Sequence, residues 1–289
     1  MDPLNINFAA SAQADQGRTA DGVRLYRPED FEGMRRAGRL AAEILDMIAD
    51  HVAPGVTTGA LDQIIHQAML DAGATPATLG YRGYPKSSCI SINHVVCHGI
   101  PGDKALRDGD ILNIDVTVIL DGWYGDSSRM YAAGKPSRKA ERLIDVTHDA
   151  LMRGVAVVKP GARFNDIGAA IQDFVEGERY AVVRDFCGHG LGRVFHDNPS
   201  VLHYQPKDRN GQPMLGPVLE PGMFFTIEPM VNIGKPGTKI LGDGWTAVTR
   251  DRSLSAQFEH SIGVTEDGCE IFTLSPAGRF HPTWRSGDA

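Results

Sequence analysis

The chain has 289 residues, of which 42% are hydrophobic and 22% are charged, so it can bury a sizeable core and is not disordered as a whole. Its 36 carboxylates outnumber its 29 lysines and arginines, and no basic run is present, which disfavours nucleic-acid binding as its main role. No run of about 18 apolar residues predicts a membrane span. We also expect no secretory signal, because residues 1–27 lack a basic region followed by an apolar one.

Cysteine usage indicates the redox compartment. The four cysteines contain no C-x-x-C pair, and four thiols in a chain of this length are too few for a disulfide scaffold; they are Cys89, Cys97, Cys187 and Cys269. Free cysteines are usually buried. We therefore expect reduced thiols in a cytoplasmic protein.

The first residues differ in composition from the rest. Residues 1–27 are polar, rich in alanine and aspartate, and lack a sustained hydrophobic period. We predict a flexible N-terminal extension over residues 1–27, followed by a single domain over residues 28–289.

A pattern of helix, Pro-Gly pair and helix occurs twice along the chain. The Pro-Gly pairs are Pro54-Gly55 and Pro160-Gly161, and amphipathic helical periodicity flanks both of them. Each copy is followed by a strand-like stretch that ends in His-Gly, at His98-Gly99 and at His189-Gly190. The repeated order predicts an internal duplication, with two related halves that meet around one site.

The strongest strand signal places two aspartates close together. Residues 110–121 alternate apolar and polar side chains, and Asp121-Gly122 is a two-residue hairpin turn. In that register Thr117 faces Asp126, and Asp115 lies two residues along the same face, which puts the two Asp Cα atoms ~7–8 Å apart. Aspartate is disfavoured in strands and costly to bury unpaired. A pair of divalent cations would compensate this charge; on spacing alone, a solvated hairpin face is the alternative.

Three further residues carry ligand chemistry in apolar or glycine-rich strands. Glu228 and Glu259 each stand alone among apolar neighbours, and a turn-rich stretch between them indicates that their strands lie near each other. His189 lies in a glycine-rich strand, where the backbone can approach a ligand closely. Taken singly, each is read as a solvated carboxylate or a hydrogen-bonded histidine.

Together with the hairpin aspartates, these residues form a set of four carboxylates and one imidazole. Such a set can bridge two divalent ions, the arrangement that activates water in aminopeptidases. The absence of cysteine from the set disfavours a structural zinc site. Oxygen ligands with one nitrogen suit Mn, Fe(II), Co or Zn, and the sequence does not choose among them.

Five long segments match one protein family; they are LGYRGYPKSSCISINHVVCHGIP (79–101), LNIDVTVILDGWYGDSS (112–128), GHGLGRVFHDNPSVLHY (188–204), FTIEPMVN (225–232) and DRSLSAQFEH (251–260). On these segments the chain resembles the type I methionine aminopeptidases of peptidase family M24, over about residues 28–274. The resemblance implies the α+β pita-bread fold, which creatinase and Xaa-Pro peptidases share. That fold has two pseudo-symmetric halves with a curved antiparallel sheet flanked by helices.

The resemblance also implies a ligand set for two ions. It makes Asp115, Asp126, His189, Glu228 and Glu259 the metal ligands, the set that the residue patterns indicate. Asp126 and Glu259 would bridge the ions, with Asp115 completing one site and His189 and Glu228 the other.

Two more histidines gain roles from the resemblance, although an ordinary surface histidine is the alternative for each. His98 would contact the scissile amide nitrogen, and His196 would contact the carbonyl or the developing oxyanion, where a positioned donor contributes most. Glu228 is the candidate to take and pass the proton.

The matching substrate pocket is apolar and polarisable, which suits the sulfur of methionine. Its lining positions are Tyr81, Tyr84, Cys89, Phe195 and Trp245; ordinary core aromatics are the alternative reading. Thr78 stands where some relatives carry cysteine, and residues 207–217 form a longer loop than short bacterial relatives need.

The resulting prediction is a monomeric, cytoplasmic methionyl aminopeptidase that removes N-terminal methionine from nascent proteins and peptides when the second residue is small. We expect transient association with ribosomes from the function alone, because the substrates emerge from ribosomes. The alternatives are an Xaa-Pro peptidase of the same fold, a non-catalytic binding scaffold, and a creatine-type amidinohydrolase that needs no acidic metal set.

Overall fold

The computed structural model describes residues 17–279. Its α-helices are α1 (Asp30–Ile48), α2 (Thr58–Asp71), α3 (Arg138–Ala156) and α4 (Phe164–Gly177). Within residues 17–279, none of them combines the length and apolarity that crossing a membrane requires.

The strands are short except for one long hairpin. They are β1 (Thr75–Pro76), β2 (Cys89–Ile92), β3 (Val95–Cys97), β4 (Asp110–Leu120), β5 (Trp123–Ala133), β6 (Ala181–Val182), β7 (Gly188–Gly190), β8 (Asp197–Val201), β9 (Phe224–Ile227), β10 (Met230–Asn232), β11 (Thr238–Ile240), β12 (Ala247–Thr249), β13 (Ser255–Gln257), β14 (His260–Val264) and β15 (Cys269–Ile271).

These strands form antiparallel sheets, two of which correspond to the two halves. In the first, β4 pairs with β5 along one edge and with β1 and β2 along the other. In the second, the order is β15-β14-β9-β7-β8. Smaller sheets of order β13-β10-β6 and β11-β12-β3 extend around them. The mixture of helices and antiparallel sheets confirms the predicted fold class.

The two halves share their helical layout. Helices α1 and α3 are both 19 residues long, and helices α2 and α4 are both 14 residues long. Pro54-Gly55 separates the helices of the first pair, and Pro160-Gly161 separates those of the second. Each helix pair covers its own apolar core, one beneath β4 and one beneath β9 and β14. The predicted repeat is therefore present in the three-dimensional structure.

The β4–β5 hairpin has the predicted register. Asp121 and Gly122 form the turn with positive φ angles of 51° and 76°, the combination required for a type I′ hairpin. Thr117 therefore faces Asp126, and Leu120 faces Trp123. From Leu112 to Leu120 the even-numbered residues of β4 are apolar and join the core under α1 and α2, so the polar residues Asn113, Asp115 and Thr117 face the opposite side.

That polar face is buried instead of solvated. Thr117 and Asp126 are only 1% and 3% exposed. The second half covers this face: the Asn113 amide donates to the Gln257 carbonyl at 2.9 Å, and His189 Nε2 lies 3.5 Å from Asp126 Oδ2. The second half also joins the outer edge of β5, where the Ser261 hydroxyl donates to the Asp126 carbonyl at 2.6 Å and the Ser127 hydroxyl donates to the Glu259 carbonyl at 2.8 Å. The alternative of a solvated hairpin face is excluded, and the seam between the two halves passes through this polar face.

Residues 17–27 pack onto the domain, contrary to the prediction of a flexible extension. Val23 and Tyr26 are 1% and 5% exposed and belong to the apolar cores. For residues 17–27 the prediction is therefore wrong, because apolar side chains embedded in this polar segment are anchored in the fold. Residues 1–16 lie outside the described residues. The single domain over residues 28–289 stays a prediction, and its last ten residues also lie outside the described part.

Helix α1 crosses β5 at backbone contact distance, which predicts a steric requirement for Gly125. A Cβ built on Gly125 would lie 2.2 Å from the Ala37 carbonyl oxygen. We expect Gly125→Ala to lower the free energy of unfolding of metal-free protein by about 1–3 kcal/mol, because the helix must shift away from the strand. Urea denaturation followed by circular dichroism measures this.

The matched control is Gly177→Ala at the end of α4, where an added Cβ would meet nothing within 4 Å. It should leave the free energy of unfolding unchanged or slightly higher, since alanine is the better helix former. Equal losses in the two variants would contradict the close helix–strand contact.

Candidate metal centre and substrate cavity

The four predicted carboxylates come two from each half. Asp115 and Asp126 lie on the paired strands β4 and β5. Glu228 lies between β9 and β10, and Glu259 lies between β13 and β14. Strand β9 pairs with β14, and β10 pairs with β13. Both glutamates therefore lie at the junction between these two ladders. Each half therefore delivers two carboxylates to the seam.

His189 on β7 completes the predicted set. Its Nε2 atom lies 3.5 Å from Asp126 Oδ2 and 3.7 Å from Glu228 Oε1. One ligand atom from each of Asp126, His189 and Glu259 can be chosen so that all three lie within 4.8 Å of one another. Within residues 17–279, Asp115 Oδ1 is buried without a hydrogen-bond partner.

Electrostatics show that this cluster lacks positive charge. Burial, followed by the charge of Asp126, raises the pKa of Asp115 and of Glu259 well above their usual range. Burial raises the pKa of Glu228 to about 7. Burial opposes protonation of His189, but Asp126 and Glu228 outweigh it and raise its pKa.

The donor set and its charge fit divalent cations. Among residues 17–279, the ion pairs of these carboxylates are both with His189, which cannot balance four buried acids. Carboxylate oxygens and one imidazole are suitable ligands for first-row divalent metals. The unpartnered oxygen of Asp115 is available as a further ligand atom.

Several hydrogen bonds fix these carboxylates. The Thr117 hydroxyl donates to Asp126 Oδ1 at 2.7 Å. The Thr226 hydroxyl donates to Glu228 Oε1 at 2.8 Å, and the Gln257 amide donates to Glu228 Oε2 at 3.3 Å. The three supporting residues were not predicted. Thr117 was detectable because it faces Asp126 in the hairpin, and Thr226 because it precedes Glu228 by two residues near the end of β9.

The glycines around His189 have a different role from the predicted one. A Cβ on Gly188 would lie 2.3 Å from the Thr226 carbonyl oxygen, and a Cβ on Gly190 would lie 2.1 Å from the Asn198 carbonyl oxygen. The glycines therefore allow neighbouring backbone to approach β7. The sequence predicted close approach of a ligand to the β7 backbone. Both contacts are instead with neighbouring protein backbone.

A cavity of about 610 Å³ opens onto this cluster. The structure brings every predicted site residue to its lining: Tyr81, Tyr84, Cys89, His98, Asp115, Asp126, His189, Phe195, His196, Glu228, Trp245 and Glu259. Thr78, Phe186, Cys187 and Met230 also line it and were not predicted as site residues. Cys89 on β2 lies directly opposite Asp115 on β4, which joins the apolar part of the cavity to the acidic part.

Aromatic rings form the apolar wall. Tyr81 contacts Phe195, with ring centroids 4.8 Å apart, and Tyr84 meets Trp245 edge to face at 5.1 Å. The buried Tyr84 hydroxyl donates toward the carbonyl oxygens of Ser88 and Gly99, so its ring is held in place.

The two predicted histidines both line the cavity together with the acidic cluster. His196 stacks on Tyr81 at 5.2 Å, and its ring centroid lies 4.2 Å from that of His189. His98 meets Trp245 at 6.1 Å. Burial lowers the pKa of His98 to about 4, and burial together with the charge of His189 lowers the pKa of His196. Both imidazoles are therefore neutral at neutral pH and can serve as hydrogen-bonding groups.

A comparison with known families matches residues 32–266 to metallopeptidase family M24. The chain belongs to this family. The family predicted from the sequence is therefore confirmed. Membership also agrees with the acidic cluster, since members of a metallopeptidase family use a divalent metal.

Individual M24 relatives are similar over nearly the whole chain. The methionine aminopeptidase of Rickettsia prowazekii is 58% identical over 263 residues, which cover 91% of this chain and 99% of the relative. The methionine aminopeptidase of Escherichia coli strain K12 is 57% identical, covering 87% and 94%.

Solved structures agree with the pita-bread fold. The crystal structure of the Rickettsia prowazekii methionine aminopeptidase superposes with a TM-score of 0.84 at 58% identity, covering 87% of this chain and 100% of that one. The Xaa-Pro dipeptidase of Bacillus anthracis gives a TM-score of 0.68 at 22% identity, covering 87% and 62%. The second likeness shows the shared fold alone.

The hydrogen bond from Thr117 predicts a measurable effect on metal affinity. We expect Thr117→Val to weaken Mn(II) binding roughly 10–100-fold, because Asp126 loses the donor that orients it. Isothermal titration calorimetry on metal-depleted protein measures the dissociation constant.

Thr147→Val is the matched control, since Thr147 is equally buried but donates to the Leu143 carbonyl within α3. It should leave Mn(II) affinity unchanged. Wild-type affinity in Thr117→Val would show that Asp126 needs no support from this hydroxyl.

Proposed function

We propose that this M24 metallopeptidase removes the N-terminal methionine from nascent proteins and peptides when the second residue is small. The observation that carries the proposal is a small aromatic cavity ending at four clustered carboxylates and His189. Relatives that are 57–58% identical over most of the chain bear the name methionine aminopeptidase, which supports the same reaction here.

Two divalent ions, of Co, Mn, Fe(II) or Zn, would be held at the acidic cluster. Asp115, Asp126, His189, Glu228 and Glu259 would supply the ligand atoms that hold them. When bound, such ions polarise the scissile carbonyl and lower the pKa of water toward ~7. The single imidazole among oxygen ligands suits these metals.

The reacting proton would move through Glu228. Both of its carboxylate oxygens accept hydrogen bonds, from Thr226 and from Gln257, so the group is fixed in orientation. Glu228 would accept the proton of the attacking water and pass it to the leaving amide nitrogen.

The two cavity histidines would bind the scissile peptide group. His196 would donate an N–H to the carbonyl oxygen as negative charge develops there, and His98 would contact the amide nitrogen. Both imidazoles are neutral, so each retains one N–H donor and one acceptor nitrogen. A fixed donor at the developing oxyanion lowers the barrier because it needs no reorganisation during the reaction.

The aromatic wall would select methionine. Tyr81, Phe195, Tyr84 and Trp245 touch one another in pairs and leave an apolar slot beside Cys89. An unbranched thioether fits such a slot and interacts well with aromatic rings. A charged side chain in the apolar slot would lose its hydration.

The setting of the reaction follows from the substrate. We expect the enzyme to act in the cytoplasm as a monomer, on chains that emerge from ribosomes and with transient association there. These expectations rest on the function and on no particular surface of the protein.

Substrate preference tests the proposal directly. Purified protein with added Mn(II), Co(II) or Fe(II) is expected to release methionine from Met-Gly-Met-Met and to leave Gly-Pro-Ala intact. Amino-acid analysis of the products measures both. Cleavage of Gly-Pro-Ala alone would make the chain an Xaa-Pro peptidase, and inactivity despite bound metal would favour a binding scaffold.

Substitution of a bridging carboxylate tests the site. We expect Asp126→Asn to lower kcat/KM for Met-Gly-Met-Met by at least about a hundredfold, because losing a group that merely supports a metal ligand already costs roughly 10–100-fold. Asp121→Asn in the exposed turn of the same hairpin is the matched control and should retain activity. Equal activity in both variants would remove Asp126 from the site.

His196 has a separable kinetic signature. We expect His196→Ala to lower kcat roughly 10²–10³-fold with little change in KM, because its N–H acts on charge that develops only in the transition state. Steady-state kinetics on Met-Gly-Met-Met measures both constants, and His51→Ala on the exposed surface is the control. A rise in KM with unchanged kcat would instead assign His196 to ground-state binding.

A further inference from the structure

The loop between β7 and β8 carries two cavity residues and is fixed at its end by a buried acid. Phe195 and His196 precede Asp197, the first residue of β8. Asp197 is 6% exposed, and its Oδ1 accepts a hydrogen bond from the Asn198 backbone at 2.9 Å. A carboxylate this deeply buried needs positive partners.

Those partners come from residues 17–27, the N-terminal arm. Arg24 Nε lies 3.0 Å from Asp197 Oδ2, and Arg18 Nη2 lies 3.1 Å from the same oxygen. Arg24 is well shielded, with its side chain 15% exposed, whereas that of Arg18 is 37% exposed. Two guanidinium groups thus converge on the residue next to His196.

The arm also holds the other end of the loop. The Tyr26 hydroxyl accepts a hydrogen bond from the Arg193 backbone N–H at 3.1 Å. The Tyr26 ring stacks on Phe224 with centroids 4.4 Å apart and planes inclined by 7°, which anchors the arm in the core. The segment from Arg193 to Asp197, including Phe195 and His196, is therefore held at both ends by the arm.

His196 depends on this support because its own ring is weakly fixed. Within residues 17–279, its Nδ1 is buried without a hydrogen-bond partner. Its ring is placed by contacts with Tyr81, His189 and Phe195 and by the course of its backbone. Such ring contacts are less directional than a hydrogen bond, so a backbone shift at Asp197 would move the imidazole.

We infer that the N-terminal arm positions His196 for catalysis through the ion pairs of Arg18 and Arg24 with Asp197. The match to family M24 begins at residue 32, so the arm lies outside the matched segment. This role rests on the proposed function of His196. Arg18, Arg24 and Asp197 are positioning residues, since they act through the neighbouring imidazole.

A double-mutant cycle separates this role from simple stabilisation. We expect Arg24→Gln to lower kcat for Met-Gly-Met-Met roughly 10–100-fold with little change in KM, because small displacements of reacting groups are costly. In the His196→Ala background the same substitution should have no further effect on kcat. Arg24→Lys, which keeps the cation, should restore most of the activity.

Arg27→Gln is the matched control within the arm. Arg27 is 66% exposed, and its partner is the exposed Glu29 at 3.6 Å, so kcat should stay at the wild-type value. Thermal melting of each variant confirms that it is folded. Should Arg24→Gln not fold, Arg18→Gln is used in the same cycle, because it leaves the Arg24 pair intact.

An activity-independent readout completes the test. In metal-free protein labelled with ¹⁵N-histidine, we expect Arg24→Gln to shift or broaden the His196 imidazole resonance, assigned through its loss in His196→Ala. The His51 resonance should not change.

The outcomes distinguish the two proposals. Wild-type protein that releases no methionine with any metal contradicts the proposed function, while the imidazole resonance still tests the arm. If the wild type is active, an equal loss of kcat from Arg24→Gln in the wild-type and His196→Ala backgrounds overturns the positioning role. A folded Arg24→Gln variant with wild-type kcat overturns it as well. An unperturbed His196 resonance in Arg24→Gln also overturns it.

Discussion

Burial of four carboxylates beside a single imidazole is the constraint on which this structure depends. Burial already disfavours the charged forms of Asp115, Glu228 and Glu259, and the neighbouring charge of Asp126 raises their pKa values further. His189 can offset only part of that charge. The cluster is tolerable only with protonation or with added cations. Since the chain belongs to a metallopeptidase family, divalent metal is the physical resolution that accounts for the arrangement.

The fold distributes this cost over two halves. Each half contributes two acids held by paired antiparallel strands, and the seam between the halves is joined by the hydroxyls of Ser127 and Ser261. The long helices cover the outer faces, and α1 approaches β5 so closely that only glycine fits at position 125. Rigid strands on both sides hold the acids in place, whereas the cavity histidines lie in or beside loops. This division accounts for the proposed dependence of His196, which lies in a loop, on the N-terminal arm.

Much of the site could be predicted from sequence because its strongest signals are local. The Asp121-Gly122 turn sets the hairpin register, which places Asp126 opposite Thr117 and diagonal to Asp115. Single acids in apolar strands and a histidine in a glycine-rich strand indicated the remaining ligands, and the family resemblance then supplied His98, His196 and the aromatic wall. The N-terminal arm was mispredicted, because its pairing with Asp197 spans 173 residues and leaves no periodic pattern in either segment. The support of Glu228 by Gln257 was missed for the same reason, as it needs the β10–β13 register.

The most direct test of the central claim is a crystal structure of the protein soaked in Mn(II), with anomalous scattering used to locate the metal. The account predicts two anomalous peaks about 3.5–4 Å apart, as in two-metal hydrolytic sites, within bonding distance of the four carboxylates and His189. Asp126 and Glu259 should each contact both peaks. A cluster without anomalous density at saturating Mn(II), or ions bound only elsewhere, would contradict it, because the buried acids would then be held by protonation alone.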